Sequence, residues 1–158
     1  GRDFDRPGKV DAPVWFVNVV GGWEHSIWLD VDGNVWTAGS GYKDARRQGV
    51  AGSAILGRQG GSEKTVGKVE GLPSGVTHIA SGWDHCGAVT LTGELYCWGS
   101  GANGKLGGSG DALKPRRVDF GIEPQPVIEF FEAGCEHSVA VDEDGVAWAW
   151  GAVEGGRH

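Results

Sequence analysis

Residues 79–100 read IASGWDHCGAVTLTGELYCWGS. Short apolar runs alternate here with single glycines at Gly82, Gly93 and Gly99. The run VTHIA leading into the stretch is rich in β-branched residues and closes at a glycine, the signature of a strand. Two further runs meet at Gly93, where a glycine supplies the positive φ that a tight hairpin turn requires. The local reading is a small antiparallel meander.

The same pattern occurs twice more without an internal gap. VVGGWEHSIWLDVDGNVWTAGS starts at Val19, and FEAGCEHSVAVDEDGVAWAWGA starts at Phe131. With Gly22, Gly82 and Gly134 as anchors, a histidine follows at His25, His85 and His137. A second glycine follows at Gly33, Gly93 and Gly145, an aromatic at Trp36, Tyr96 and Trp148, and a third glycine at Gly39, Gly99 and Gly151. VWFVNVV and VIEFFE read as the opening strands of the flanking units, and the Asp-Gly pairs of DVDGN and DEDG are strong hairpin signals. The connection GKLGGSGDALKPRRVDF is expected to return a fourth strand near Arg117, Val118 and Asp119. A lone four-stranded sheet cannot bury both faces, so neighbouring copies must stack. A strand-built period of roughly 50 residues points to a β-propeller. The predicted fold is all-β: blades of four antiparallel strands, about three of them. The predicted division is a lead-in over 1–13, a first unit over 14–72 with an inserted segment at 42–55, a second over 73–126, and an incomplete third over 127–158.

These residues resemble the regulator of chromosome condensation repeat family, whose repeat runs approximately A-G-x-x-H-S-x-A-L-T-x-D-G-x-V-Y-x-W-G-x-N-x-x-G-Q-L-G. The second unit matches through Gly82, His85, Gly93, Tyr96, Trp98, Gly99, Gly104, Leu106 and Gly107. The third matches through Ala133, Gly134, His137, Ser138, Asp144, Gly145, Trp148, Trp150 and Gly151, and the first through Gly22, His25, Ser26, Asp32, Gly33, Trp36 and Gly39. The resemblance implies a closed ring of seven blades, of which this chain supplies an incomplete arc, with the remaining blades in a longer chain. It also implies that the repeated histidines and glycines are structural.

The resemblance bears on one false lead. GSGANGKLGGSG, residues 99–110, fits the G-x-x-x-x-G-K part of a phosphate-binding loop. Such a loop needs Ser or Thr after the lysine and a helix next. Leu106 and a glycine-rich run stand there instead, and Lys105 takes the family's glutamine position.

Other candidate sites follow from the repeats. His25, His85 and His137 sit at equivalent points of different blades, so they do not converge on one ion. Glu24, Asp84 and Glu136 repeat beside them and suggest an acidic arc along one rim, contacting a basic protein segment. Arg46 and Arg47, in the charged inserted segment, are further candidate contacts. Trp23 and Trp83 sit in Gly-Trp-acid-His; light-sensing relatives place arginine where Glu24 and Asp84 stand, and Cys135 replaces the third indole. Trp36, Trp98, Trp148 and Trp150 read as packing between blades. No catalytic set emerges: Ser26 and His25, like Ser138 and His137, are strand neighbours whose side chains point to opposite faces. No cofactor or metal is implied.

Composition agrees. The 158 residues carry 30 glycines, eight tryptophans and a net charge of −7, which argues against a nucleic-acid surface and for a basic partner. No apolar run approaches the roughly 18 residues of a membrane span. Three cysteines, Cys86, Cys97 and Cys135, suit neither a disulfide framework nor a zinc cage and fit a reducing compartment, cytoplasmic or nuclear. The expected function is a non-enzymatic protein-interaction scaffold. The alternatives are a guanine-nucleotide exchange factor for a small GTPase, which the resemblance permits, and an architectural subunit of a ciliary, cytoskeletal or ubiquitin-ligase assembly.

Overall fold

The computed structural model describes residues 6–40, 54–58 and 65–152. Among these residues eleven strands form three antiparallel sheets. The first holds β1 (Phe16–Gly21), β2 (Glu24–Asp30), β3 (Val35–Ser40) and the short β4 (Gly67–Lys68), in that order. The second holds β5 (Val76–Ser81), β6 (His85–Thr90), β7 (Leu95–Gly99) and β8 (Ala112–Arg117). The third holds β9 (Ile128–Ala133), β10 (His137–Asp142) and β11 (Ala147–Gly151). Every neighbour in a sheet is its neighbour in sequence, as a meander demands. The fold class expected from the repeats is the one observed. The returning strand β8 starts earlier than expected, at Ala112, and its pairing runs on through Val118 N–H, which donates to Leu95 O at 2.8 Å.

The repetition extends to irregularities. Each opening strand is bulged at the same point, between Phe16 and Asn18, between Val76 and His78, and opposite Val141 and Asp142 in the third sheet. A bulge at one place in every blade bends each opening strand alike. The hairpin turns are closed by carboxylates in the outer blades. Asp30 Oδ1 accepts the N–H of Asp32 and Asn34, and Asp30 Oδ2 accepts Trp36 Nε1–H at 2.8 Å. Asp142 repeats all three bonds with Asp144, Val146 and Trp148. Trp36 and Trp148 therefore brace their own turns; Trp148 also meets Phe120 of the second unit, with ring centroids 5.2 Å apart, so it shares the between-blade packing with Trp98 and Trp150. In the middle blade Thr90 stands at the aspartate position and accepts Glu94 N–H instead.

The blades are joined by a repeated set of polar bonds around an apolar filling. Trp98 Nε1–H donates to Ile55 O at 3.0 Å, and Trp150 Nε1–H donates to Lys105 O at 2.8 Å. Each indole thus caps the loop of the preceding blade. Ile27, Leu29, Ile79, Val89 and Phe131 fill the space between sheets, all at most 6% exposed. Gly87 is part of that fit: a Cβ there would collide with the Phe131 ring. Overpacking of this kind typically costs about 1–3 kcal/mol. Gly87→Ala is expected to lower stability by about 2 kcal/mol in urea unfolding, and Gly87→Ala combined with Phe131→Leu to recover part of the loss.

Candidate functional site at the strand-end rim

Each opening strand runs into Gly-Trp-acid-His or, in the third blade, Gly-Cys-acid-His, so one rim of the arc carries the repeated chemistry. The histidines turn inward. His25 lies 6% exposed with Nε2 2.6 Å from Ser81 Oγ of the next blade, and His85 is fully buried with Nε2 3.0 Å from Ser138 Oγ. Each hydroxyl spends its own proton, Ser81 on Gly82 O and Ser138 on Lys105 O. The imidazoles must therefore donate from Nε2, which fixes both as the neutral tautomer protonated there. Burial pulls both rings down to a pKa of about 4; near His85 the charge of Lys105 adds to this, while Asp84 opposes it at both rings. His137, half-buried, occupies the same position on the third blade.

One arrangement resembles a nucleophile and its base. Cys86 Sγ lies 3.6 Å from His25 Nε2 and 3.7 Å from Ser81 Oγ. The thiol is 0% exposed and burial raises its pKa to about 12, so it holds its proton where the neighbouring imidazole is least basic. The trio is a packing contact. Cys97, on the adjacent strand, pairs across from Gly87 while Cys86 pairs across from Trp98. The two thiols thus point to opposite faces of the sheet, and both are free.

The acidic residues fare differently from one another. Lys105 is 0% exposed, and its Nζ lies 2.8 Å from Asp84 Oδ1 and 2.9 Å from Glu136 Oε2. Asn103 Nδ2–H adds a bond to Glu136 at 2.9 Å. Asp84 is thus a buried partner of Lys105 and not part of a solvated arc; Glu136 is half-buried on the same ammonium, and Glu24 alone of the three is exposed. The expected acidic arc shrinks because one cation between two blades holds two of its members. This also removes the lysine from any phosphate chemistry. Sequence reading weighed Lys105 only as a phosphate-loop lysine and missed its ion pairs; their signal was an acid in the second and third units facing a loop that carries lysine, against Ile55 in the first. Arg46 and Arg47 lie outside the described residues.

The glycines of the repeat divide by role. Gly33, Gly93 and Gly145 take positive φ in the hairpin turns. Gly39, Gly99 and Gly151 close the third strands against the backbone of Glu24, Asp84 and Glu136. Gly22, Gly82 and Gly134 lie against the imidazoles of His25, His85 and His137, where a side chain would strike the ring. Trp23 and Trp83 meet in a tilted pair, with ring centroids 4.4 Å apart and an interplanar angle of 45°, and are 49% and 40% exposed. With Ala133 and Cys135 they edge a cavity of about 370 Å³. Among the described residues no cluster of three or more His, Cys, Asp or Glu is placed to hold a metal, and no helix is long and apolar enough to cross a membrane.

Comparison with known proteins fits this geometry. Models of the regulator of chromosome condensation (RCC1) repeat match residues 76–105 and 92–141. The ultraviolet-B receptor UVR8 of Arabidopsis thaliana is 41% identical over 80 residues, covering 48% of this chain and 17% of the receptor. The guanine nucleotide exchange factor SRM1 of Saccharomyces cerevisiae is 29% identical over 147 residues, covering 87% of this chain and 28% of that protein. The crystal structure of Prp20p from Saccharomyces cerevisiae, described with its binding to Gsp1p and histones, superposes with a TM-score of 0.71 at 25% identity over 90% of this chain and 32% of that one. The chain thus spans under a third of the length of each of these relatives. Three sheets in repeat, the strand-end Gly-x-acid-His rim and these matches together make the chain an RCC1-type repeat protein with the propeller-blade fold of that family.

Proposed function

We propose that this chain is a non-enzymatic protein-binding module that engages its partner through the rim where the opening strands end. One observation carries the reading. The groups able to do chemistry, His25, His85 and Cys86, are buried, whereas among the described residues of that rim the indoles of Trp23 and Trp83 stay 49% and 40% exposed. Aromatic rings held half-exposed over a cavity are recognition surface. The net charge of −7 favours a basic partner. An intracellular setting, nuclear or cytoplasmic, suits three cysteines that stand outside any disulfide.

A second reading, exchange on a small GTPase, is supported by the likeness to SRM1. The sequence segment best suited to displace a nucleotide, 42–55, falls outside the described residues up to residue 53, and Ile55 at its end is buried against Trp98. Release of labelled nucleotide from a panel of small GTPases separates the two readings. The binding module leaves every release rate unchanged while a protein ligand titrates to a fixed stoichiometry; acceleration of any one GTPase replaces it with the exchange reading.

A further inference from the structure

We propose that the groove between the second and third blades, on the edge where the β6–β7 and β10–β11 hairpins turn, takes an aliphatic side chain from a basic segment of a partner protein. Carboxylates on the lips of the groove would hold the lysines or arginines on either side of that side chain. This edge lies at the opposite strand ends from Trp23 and Trp83, so the site goes beyond the reading above and does not depend on it.

The groove has a volume of about 320 Å³. Val89 and Leu91 line it from the second blade, Val127 and Ile128 from the third. Leu91 sits at a hairpin tip, where turns commonly carry polar residues, and is 79% exposed. It is held in place: Leu91 N–H donates to Gly75 O, and Thr90 closes the turn by accepting Gly93 N–H and Glu94 N–H. A single exposed leucine is ordinary on a protein surface. Here Leu91 and Val127 come from two blades to one groove that also reaches the buried Val89 and Ile128. Val31, at the equivalent tip of the first blade and 61% exposed, continues the apolar edge. An apolar surface of this kind, bordered by charge, marks an interaction site.

The charge at the border is negative. Glu129 and Glu143 complete the lips of the groove, and no lysine or arginine lines it. The third sheet skips Glu129 in its pairing, with Phe130 opposite Val141 and Ile128 opposite Asp142. The bulge takes Glu129 out of the ladder, in the place Thr77 holds in the second blade. Neither carboxylate has a hydrogen-bonding or ion-pair partner among the described residues. Asp144, next to Glu143, is exposed as well. The amides of Leu91, Gly93, Ile128 and Glu143 are all spent on carbonyls, so they offer an anion nothing.

These features select the occupant. An acidic or phosphorylated segment meets two like charges. A wholly apolar segment would take both carboxylates out of water without a partner. A wholly basic one would leave the aliphatic walls wet. An aliphatic residue between cations covers the walls and answers the charges together, and complementary charge across such a rim also guides encounter.

The test is an amide NMR titration with an acetylated Lys-Lys-Leu-Lys-Lys amide peptide, and with the same peptide carrying serine in place of leucine. Shifts are expected at Leu91, Gly93 and Glu129. The leucine peptide is expected to bind about tenfold more tightly, the low end of what burying one such side chain supplies. Leu91→Ser, at an exposed tip, is expected to cost about fivefold by the same burial. Glu129→Gln with Glu143→Gln is expected to cost about tenfold at low salt, and less as salt is raised. Glu70→Gln with Glu132→Gln removes the same charge from exposed sites outside the groove and is expected to change affinity by no more than about twofold. Equal affinity for the two peptides overturns the proposal, and so do equal losses in the two charge-matched double variants, which would reduce the binding to net charge. Shifts confined to residues around Trp23 and Trp83 overturn it too, while leaving the binding-module reading standing. Binding at the groove with no protein ligand found for the strand-end rim removes that reading and keeps this site.

Discussion

Lowering the pH from 7 to 5 is expected to cost this protein about 2 kcal/mol of stability for each of His25 and His85, well before its carboxylates matter. In the unfolded chain both imidazoles take a proton near pH 6.5; in the folded chain burial holds them off until about 4. Below pH 6.5 the unfolded state therefore binds more protons than the folded one, and stability falls with pH through the whole window down to about 4. A shift from 6.5 to about 4 is worth about 3 kcal/mol per ring when complete. Two such rings rival the entire stability of an ordinary domain, about 5–15 kcal/mol. The structural reason is specific. Each Nε2–H is committed to a serine, and Nδ1 of His25 is buried with no hydrogen-bond partner among the described residues, so a second proton has nowhere to be solvated. Asp30 and Asp142, held below the usual carboxylate range by Trp36, Trp148 and turn amides, lose their contribution only beneath about pH 4 and do not blur the window. Urea midpoints at pH 7, 6 and 5 measure the slope. His25→Gln and His85→Gln keep a donor near each serine and cannot titrate, so the double variant is expected to hold nearly constant stability from pH 7 to 5. A parent protein equally stable at both ends would contradict the burial argument.

The histidines show how far the sequence carried the fold. Their recurrence at a fixed distance from Gly22, Gly82 and Gly134 was legible, and so were the turns at Gly33, Gly93 and Gly145, because each lies within one blade and every blade repeats it. Their hydroxyl partners were not. His25 reaches Ser81, at the end of an opening strand, where the third blade has Ala133. His85 reaches Ser138, in the middle strand, where the second blade has Cys86. The hydroxyl occupies one region of space but two different columns of the repeat, and only the packing of one blade on the next brings them together. The rim was half legible for the same reason. Its acids and indoles recur in sequence, but which acid is buried depends on a lysine that arrives from the loop between β7 and β8.

Replacing that lysine is expected to be about as damaging as any single change in the chain. Lys105→Met removes the ammonium from between Asp84 and Glu136 and leaves Asp84, whose side chain is 8% exposed, as a buried charge without its cation. Breaking one side of a buried ion pair costs about 3–5 kcal/mol, far more than a surface pair is worth. The main-chain bonds from Ser138 and Trp150 to Lys105 O do not depend on the side chain, so the blade contact is otherwise intact and the loss reports the charge. Removing both sides should hurt less than the sum: Lys105→Met with Asp84→Asn is expected to recover about 1–3 kcal/mol of coupling in a double-mutant cycle. Lys105→Gln, the residue the family motif has at this point, is expected to fall between the parent and Lys105→Met, since an amide still donates to a carboxylate but brings no charge. The substitution also touches the acid response. Lys105 holds down the His85 pKa after burial does, so its loss lets His85 protonate at higher pH in the folded state and flattens the slope between pH 7 and 5. A variant that is less stable at pH 7 yet less sensitive to acid is a combination that loss of packing alone does not produce. Additive single-mutant losses in the cycle, or a pH slope unchanged by Lys105→Met, would show that the ammonium is a passenger at this interface.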